Sequence, residues 1–243
     1  MLINTVLAFT RELLPVFILL ALVLQLALKR PWPLLRQSLV IGIAVTFVLS
    51  TLLGRVTQWF DGNGLELLFM LLQLLTLLAL FALLFDASFN RVAAAIAIGS
   101  QVVLAGINLM LFALTVSSNE PATEAIWLGA VLGLGIGCSI AVLLYQLLAE
   151  LSRLSHVFIG LMMALTAARQ SSEIIALLGQ TDWLALEQKL WDSGVVLGEQ
   201  TELGVFFHAC FGYEATPDVI QVSGWLLTFS FMLAMWCWRR VKQ

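Results

Sequence analysis

Two pairs of oppositely charged residues stand inside long apolar stretches of this 243-residue sequence. Arg11 and Glu12 are adjacent in the first stretch, and Arg169 and Glu173 are four residues apart in the sixth. Ionisable groups within an apolar helix are costly and usually face a partner or a water-filled path. Carboxylate oxygens are also the ligands that hard cations prefer. The residues therefore indicate either a cation site or, for Arg169 and Glu173, a pair at i and i+4 that only neutralises itself.

Polar residues in other stretches fall at a similar depth. Glu12 lies about eight residues into its stretch and Glu173 about six residues before the end of its own, which corresponds to roughly 12 and 9 Å at 1.5 Å per residue. Asn108 in the fourth stretch and Gln73 in the third are placed similarly. Four helices should therefore contribute to one polar layer. Its candidates for binding a transported ion are Glu12, Glu173 and Asn108, with Arg11, Pro15, Gln73 and Arg169 in support.

Pro15 adds to the interest of the first stretch. A proline inside a helix has no N–H and displaces the carbonyl four residues earlier, which here belongs to Arg11. A freed carbonyl at membrane depth is tolerated where it lines a cavity or meets another side chain. A kink at this point could offer carbonyl and carboxylate oxygens to a hard cation, or it could serve packing alone.

The apolar stretches are long enough to cross a bilayer core of roughly 30 Å. Hydrophobic residues make up 61% of the chain and charged residues 11%, whereas about a quarter of a soluble domain is charged. The predicted fold is an all-α integral membrane protein, a single domain formed by a bundle of seven transmembrane helices in the lipid bilayer. The spans are expected near residues 4–28, 38–56, 64–85, 92–116, 124–147, 155–179 and 219–238.

Charge alternates between the loops. The loops and span ends on one side of the predicted bundle hold Lys29, Arg30, Arg36, Arg91, Arg153, Arg239, Arg240 and Lys242. Loops rich in Lys and Arg remain in the cytoplasm, so the N-terminus is expected outside and the C-terminus inside. The opposite loops hold most of the acidic residues, and the longest of them is the external loop 180–218. Its Glu199, Glu202 and Glu214 could gather cations at an acidic mouth or be ordinary solvated charge.

The external loop also carries apolar residues among its acids. Trp183, Leu186, Leu190 and Trp191 are compatible with an amphipathic helix at the membrane interface, and an irregular solvated loop is the alternative.

The fifth span has a stripe of small residues, Gly129, Gly133 and Gly137, at four-residue spacing. Such a stripe lets a neighbouring helix approach closely, so it predicts tight packing rather than chemistry.

Several kinds of chemistry find no support in the sequence. It contains two histidines, with His156 expected near the inner face of the membrane and His208 near the outer face. This separation disfavours a haem held by two histidines within the bilayer. No Ser-His-Asp or Cys-His arrangement is readable. We therefore expect a protein that is not an enzyme, binds no permanent cofactor and has no nucleic-acid partner.

The segment His208-Ala-Cys-Phe-Gly-Tyr-Glu-Ala-Thr-Pro217, which leads into the last span, resembles the C-terminal signature of the oxidase-dependent iron permeases. This family includes the fungal high-affinity iron permease and the bacterial EfeU proteins. Leu190-Trp191-Asp192-Ser193 and the glycine-rich fifth span fit as well, and Phe9-Thr10-Arg11-Glu12 matches the start of the family's first Arg-Glu-x-x-Glu motif. The resemblance implies seven spans, an external N-terminus, iron as the substrate and an external oxidase or iron-carrier partner.

The sequence departs from the family in the acids that are held to pass iron. Pro15 stands where the first motif has its second acid, and Leu104-Ala105-Gly106-Ile107-Asn108 aligns with the second motif, keeping its glycine and placing an amide for the last acid. Three of the four motif carboxylates are thus missing. Glu173 could replace one of them. With fewer carboxylates, a divalent ion or a weaker site is more compatible with the layer than tightly held Fe³⁺.

Three functions follow as hypotheses. The first is a permease that imports iron across the bacterial inner membrane through Glu12 and the polar layer. The second is a membrane subunit that docks or assembles another protein without transport. The third is a permease for another solute, with Arg11 and Arg169 serving an anionic or zwitterionic substrate. A homo-oligomer is left open.

Overall fold

The computed structural model describes residues 2–26, 31–85, 90–117, 123–155, 157–186 and 188–241. Within these residues the secondary structure is helical, apart from an antiparallel bridge between Lys189 and Asp218. Lys29, Arg30, His156 and Lys242 lie outside the described residues, as does the side chain of Arg240. The helices are α1 Leu2–Gln25, α2 Pro31–Val56, α3 Gly64–Phe85, α4 Asn90–Ser117, α5 Thr123–Leu154, α6 Val157–Gln180, α7 Glu202–Phe211 and α8 Val219–Val241, with a short 3-10 turn at Phe60–Gly62.

In the described part of the chain, six helices are long and apolar enough to cross a membrane: α1, α2, α3, α4, α5 and α8. The chain is therefore a multi-pass, all-α membrane protein. Helix α6 occupies the place of the sixth predicted span and is 24 residues long. It falls outside the set of six because Arg169, Gln170 and Glu173 interrupt its apolar sequence. Two helices extend beyond the predicted spans, α2 at its start and α5 at its end.

The long helices alternate in direction, so that the bundle has two distinct ends. At the basic end lie the described residues Arg36, Arg91, Arg153 and Arg239. The acidic end holds the irregular segments 181–186, 188–201 and 212–218. Arg239 also ties α8 to α3, since its Nη1 donates to the carbonyl oxygens of Leu83 and Leu84 at 3.1 and 2.8 Å. These carbonyls belong to the last turn of α3, where intrahelical donors run out.

Helix α5 packs along α1 through its glycines. A Cβ at position 133 would lie 2.6 Å from Cβ of Phe9. Gly129 is in equally close contact with Thr5, and Gly137 with Phe17. The stripe therefore faces α1, with no room for larger side chains. Gly135, on another side of α5, has open space around it.

Helix α7 lies within the bundle although it belongs to the segment predicted as an external loop. Its Ala209 and Cys210 are buried against Leu14 and Ile18, which are in the middle of α1. Thr201 caps its first turn by accepting from the N–H of Gly204 at 3.1 Å, as N-cap hydroxyls do. The stretch 181–186 and 188–201, where an amphipathic helix was one of two alternatives, has no α-helix.

The close approach of α1 and α5 can be tested with two matched substitutions. We expect Gly133→Val to lower the free energy of unfolding by about 1–3 kcal/mol, the usual range for overpacking, because the new side chain would clash with Phe9. Gly135→Val, which adds the same atoms in open space, serves as the control. The measurement is the thermal unfolding temperature of each purified protein in one detergent, and equal shifts for both variants would contradict this packing.

Candidate functional site

A cavity of 620 Å³ lies between the helices at the acidic end. Its lining includes all the residues predicted for the polar layer: Arg11, Glu12, Pro15, Gln73, Asn108, Arg169 and Glu173. Glu199 and Glu214 line it from the irregular segments, so it holds four carboxylates. Glu202, the third residue predicted for the acidic mouth, begins α7 and lies outside this lining. The three glycines of α5 are likewise not part of it.

Glu12 reaches the cavity from α1. Its Oε2 accepts from the Nδ2 of Asn108 at 2.8 Å, which links α1 to α4. Its Oε1 lies 4.0 Å from Nε of Arg11, whose side chain is 48% exposed. Adjacent residues on a helix point in different directions, so Arg11 approaches Glu12 from the side and leaves the carboxylate facing the cavity. Helix α1 continues through Pro15, which lines the cavity one turn further along.

Glu173 reaches the cavity from α6 and has three neighbours. Its Oε1 pairs with Nη1 of Arg169 at 2.5 Å, one turn earlier on the same helix. Its Oε2 accepts from the Nε2 of Gln73 on α3. On the side of α7, Nε2 of His208 lies 3.9 Å from Oε1. A buried carboxylate is stable only with such partners, and here they come from three helices.

Arg169 forms the floor of the cavity. Its side chain is 4% exposed, and its Nη2 donates to Oε1 of Gln101 on α4 at 3.3 Å. Gln101 in turn donates to Oε1 of Gln170 at 3.2 Å. Two buried donors in this network, Nε of Arg169 and Nε2 of Gln170, find no acceptor in the described part of the chain. Incomplete pairing of buried polar groups is typical of functional sites rather than of optimised cores.

Beyond this floor most buried side chains are apolar. Thr76 and Ser100 form a last polar contact at 2.7 Å below Gln101. Five fully buried side chains then follow toward the basic end, one from each of five helices. This apolar plug consists of Leu22, Leu80, Ile98, Met163 and Met232. The cavity therefore opens toward the acidic end and is closed toward the basic end.

Among the carboxylates outside the membrane-spanning helices, Glu214 has a strongly raised pKa. Burial raises its pKa to about 7, the hydrogen bond from Gln221 opposes the rise, and the nearby charges of Glu199 and Glu173 add to it. The Nε2 of Gln221 lies 3.3 Å from Oε1 of Glu214. Glu199 is held near it, since its Oε1 accepts from the N–H of Ala215 at 2.9 Å. Glu214 is therefore neutral below about pH 7 and negative above it.

Four polar lining residues are not among the site residues predicted from the sequence: Gln101, Gln180, His208 and Gln221. Gln101 precedes Asn108 by seven residues, and this spacing places two residues on the same face of a helix. The seven-residue spacing could therefore have predicted that Gln101 faces the cavity. Gln221 gave no comparable signal, and His208 stood out only as the first residue of the C-terminal signature. The position of both residues depends on how α7 and α8 pack.

The arrangement suits a cation that enters from the acidic end and meets oxygen ligands on the way. Among the described residues, no three His, Cys, Asp or Glu side chains come close enough together to hold a metal ion. The carboxylates are instead spread through the cavity, on α1, on α6 and on the segments that flank α7. Such a distribution favours passage of an ion over permanent retention.

The ion pair at the floor can be tested through stability. We expect Arg169→Met to lower the free energy of unfolding by about 3 kcal/mol, because Glu173 would lose its buried partner. The double variant Arg169→Met/Glu173→Met should recover most of this loss, since no uncompensated charge remains. The measurement is thermal unfolding of the purified variants.

The exposed pair of Arg153 and Glu150, 2.9 Å apart on α5, offers a matched control. Arg153→Met should change the free energy of unfolding by less than about 1 kcal/mol. An Arg169→Met variant as stable as the control would show that the buried pair does not hold the bundle together.

Comparison with known proteins gives one match. The model of the Iron permease FTR1 family matches residues 102–239, more than half of the chain. The matched region holds Asn108, Arg169, Glu173 and His208, whereas Glu12 and Gln73 precede it. No curated protein and no solved structure gives a significant match.

Proposed function

Because the chain belongs to the Iron permease FTR1 family, we propose that it imports iron across the bacterial inner membrane through the polar cavity. The observation that carries the proposal is that Glu12 and Glu173, from separate helices, line one cavity closed at its far end. Glu12, Glu173 and Asn108 bind the ion on its way, and Arg11, Pro15, Gln73 and Arg169 position these ligands. Glu199 and Glu214 draw cations into the mouth.

The carboxylates of the cavity offset the loss of motif acids. The chain lacks three of the four motif carboxylates, yet Glu173, Glu199 and Glu214 bring the number in the cavity back to four. Arg11 and Arg169 offset two of these charges, and Glu214 carries its charge only above about pH 7. The remaining negative charge suits a divalent ion or a weakly held one. The carboxylate oxygens are also the ligand type that hard iron ions prefer.

The direction of transport follows from the two ends of the bundle. Loops rich in Arg and Lys stay in the cytoplasm, and Arg36, Arg91, Arg153 and Arg239 lie at the basic end. We therefore place the acidic end outside, with the N-terminus, and the C-terminus inside. In this orientation α6 is a seventh span, buried among the others, which would account for its polar centre. The cavity then faces the external solution.

An external oxidase or iron-carrier protein is the partner that we propose for the acidic end. On this chain, residues 188–201 and 212–218 form the surface of the acidic end. The alternative of a docking subunit without transport predicts that an arginine seals Glu12 and that the glycine stripe or another smooth face is exposed. Those glycines pack against α1, so this face offers no support for it.

Iron uptake tests the proposal. In cells without their own iron importers, we expect the wild-type protein, supplied with an oxidase or iron-carrier partner, to raise uptake of radiolabelled iron above the empty-vector level. Glu12→Gln and Glu173→Gln should each lower this uptake by at least about tenfold, the scale on which even outer-sphere substitutions weaken metal sites. Glutamine keeps the size of the side chain and removes its charge. At position 12 its oxygen can still accept from Asn108, whereas at position 173 it can accept from Arg169 or Gln73 but not from both.

Glu150→Gln is the control for these variants, because Glu150 lies on the exposed surface at the basic end. Uptake is normalised to the amount of protein in the membrane. A wild-type chain that imports no iron would contradict the proposal and favour a docking subunit or another solute.

Glu214 predicts how uptake depends on pH. Its pKa of about 7 means that the mouth gains a negative charge between pH 6 and pH 8. Uptake of ascorbate-reduced iron at subsaturating concentration should therefore rise across this interval in the wild type. Glu214→Gln should remove the rise, whereas Asp192→Asn, on the exposed loop, should preserve it. A rise of equal size in Glu214→Gln would assign the dependence to another group.

A further inference from the structure

His208 presents an unshared electron pair to the cavity. Its Nδ1 lies 2.9 Å from the carbonyl oxygen of Tyr213. A carbonyl oxygen can only accept a hydrogen bond, so Nδ1 carries the proton. In the neutral imidazole, Nε2 then holds the free electron pair. This nitrogen lies 3.9 Å from Oε1 of Glu173.

The separation of these two atoms suits a shared metal ion. At 3.9 Å the atoms are too far apart for a hydrogen bond. Bonds from imidazole nitrogen or carboxylate oxygen to a divalent ion such as Zn²⁺ are about 2.0–2.2 Å long. Two donors on one ion therefore lie about 3 Å apart when adjacent and about 4.2 Å apart when opposite, and the separation in this cavity falls between these limits. Each carboxylate oxygen has two acceptor positions, which allows Oε1 of Glu173 to contact both Arg169 and an ion.

The ring of His208 is held in place as the rings of metal ligands usually are. Metal-binding histidines commonly donate their second N–H to a carbonyl or carboxylate, which sets the tautomer and the orientation. Here the donor is Nδ1 and the acceptor is Tyr213. The hydroxyl of Tyr213 is itself anchored, since it donates to the carbonyl oxygen of Leu197 at 2.9 Å.

Gly212 makes this arrangement possible. It ends α7 in the left-handed conformation, with φ of 70°, and its N–H donates to the carbonyl oxygen of His208 at 2.9 Å. The reversal brings the carbonyl of Tyr213 back to the ring. A Cβ at position 212 would also lie 3.0 Å from Cα of Arg169. The turn is therefore seated against the helix that carries Glu173.

We propose that Nε2 of His208 and Oε1 of Glu173 together bind a divalent first-row transition-metal ion. The identification of that ion as Fe²⁺ rests on the proposed function; the site itself does not. An imidazole ligand suits iron, zinc, nickel and copper, whereas magnesium and calcium prefer oxygen alone. The pair thus discriminates against the hard divalent cations. With two protein ligands, the ion keeps water in its other positions and can move on.

Co²⁺ provides a stable spectroscopic probe of this site. The full-length protein in lipid nanodiscs is titrated with Co²⁺ in excess Mg²⁺, and binding is followed by the visible absorption of the metal. We compare the wild type with His208→Asn and Glu173→Gln. Asparagine can still donate to Tyr213 from the position of Nδ1 but has nothing at the position of Nε2, so it removes the ligand and keeps the anchor. His156→Asn, at the chain's other histidine, is the control.

We expect the dissociation constant for Co²⁺ to rise at least about tenfold in both His208→Asn and Glu173→Gln, and to stay unchanged in His156→Asn. The double variant should bind no more weakly than either single variant, because both remove the same site. Unaltered affinity and spectrum in His208→Asn would overturn the proposal.

A second measurement leaves both proposed ligands intact and so does not depend on the folding of a variant of the site. Electron spin-echo spectroscopy of Cu²⁺ bound to His156→Asn, which retains His208 as its one histidine, should show coupling to a single imidazole nitrogen. Its absence would also overturn the proposal. The two proposals fail separately: iron uptake without imidazole coordination removes this inference alone, whereas Co²⁺ binding at His208 without iron uptake removes the proposed function alone.

Discussion

The ion pair between Arg169 and Glu173 is the constraint that organises the bundle. Both side chains are largely buried, and a buried ion pair needs further hydrogen-bond partners around it. Gln73 on α3 and Gln101 on α4 supply those partners. Helix α6 must therefore lie where α3 and α4 can both reach it. The described charged residues of α2 and α5 are exposed and need no such partners, and much of the surface of these two helices is exposed.

The same pair connects the bundle to the segments at the acidic end. Gly212 packs against the backbone of Arg169, and His208 approaches Glu173 from α7. Helix α7 is only ten residues long and cannot cross a bilayer. It is held within the bundle by apolar contacts with α1 and by its turn against α6. The wall of the cavity thus depends on a segment that is neither a span nor a free loop.

These two features explain how far the sequence could predict the structure. Long apolar runs locate the helices, and counting residues from their ends places Glu12, Gln73, Asn108 and Glu173 in one layer, where the cavity contains all four. The position of α7 could not be predicted, because its depth follows from tertiary contacts of small residues and not from a periodic pattern. The tautomer of His208 likewise depends on a left-handed turn at Gly212. A single glycine in a loop is not enough to predict such a turn from the sequence.

Under the proposed function, the closed end of the cavity constrains how an ion could pass. An ion that has reached Glu173 meets the positive charge of Arg169 and then the apolar plug. Neither barrier can be passed in this conformation, so passage needs a second one, as alternating access provides. Helix α6 contributes both Arg169 and Met163 of the plug, and a shift of this one helix would move both barriers. A cation bound at Glu173 would share one carboxylate oxygen with Arg169, and the two positive charges would repel each other. Occupation of the site would therefore weaken the interaction that holds α6 in place.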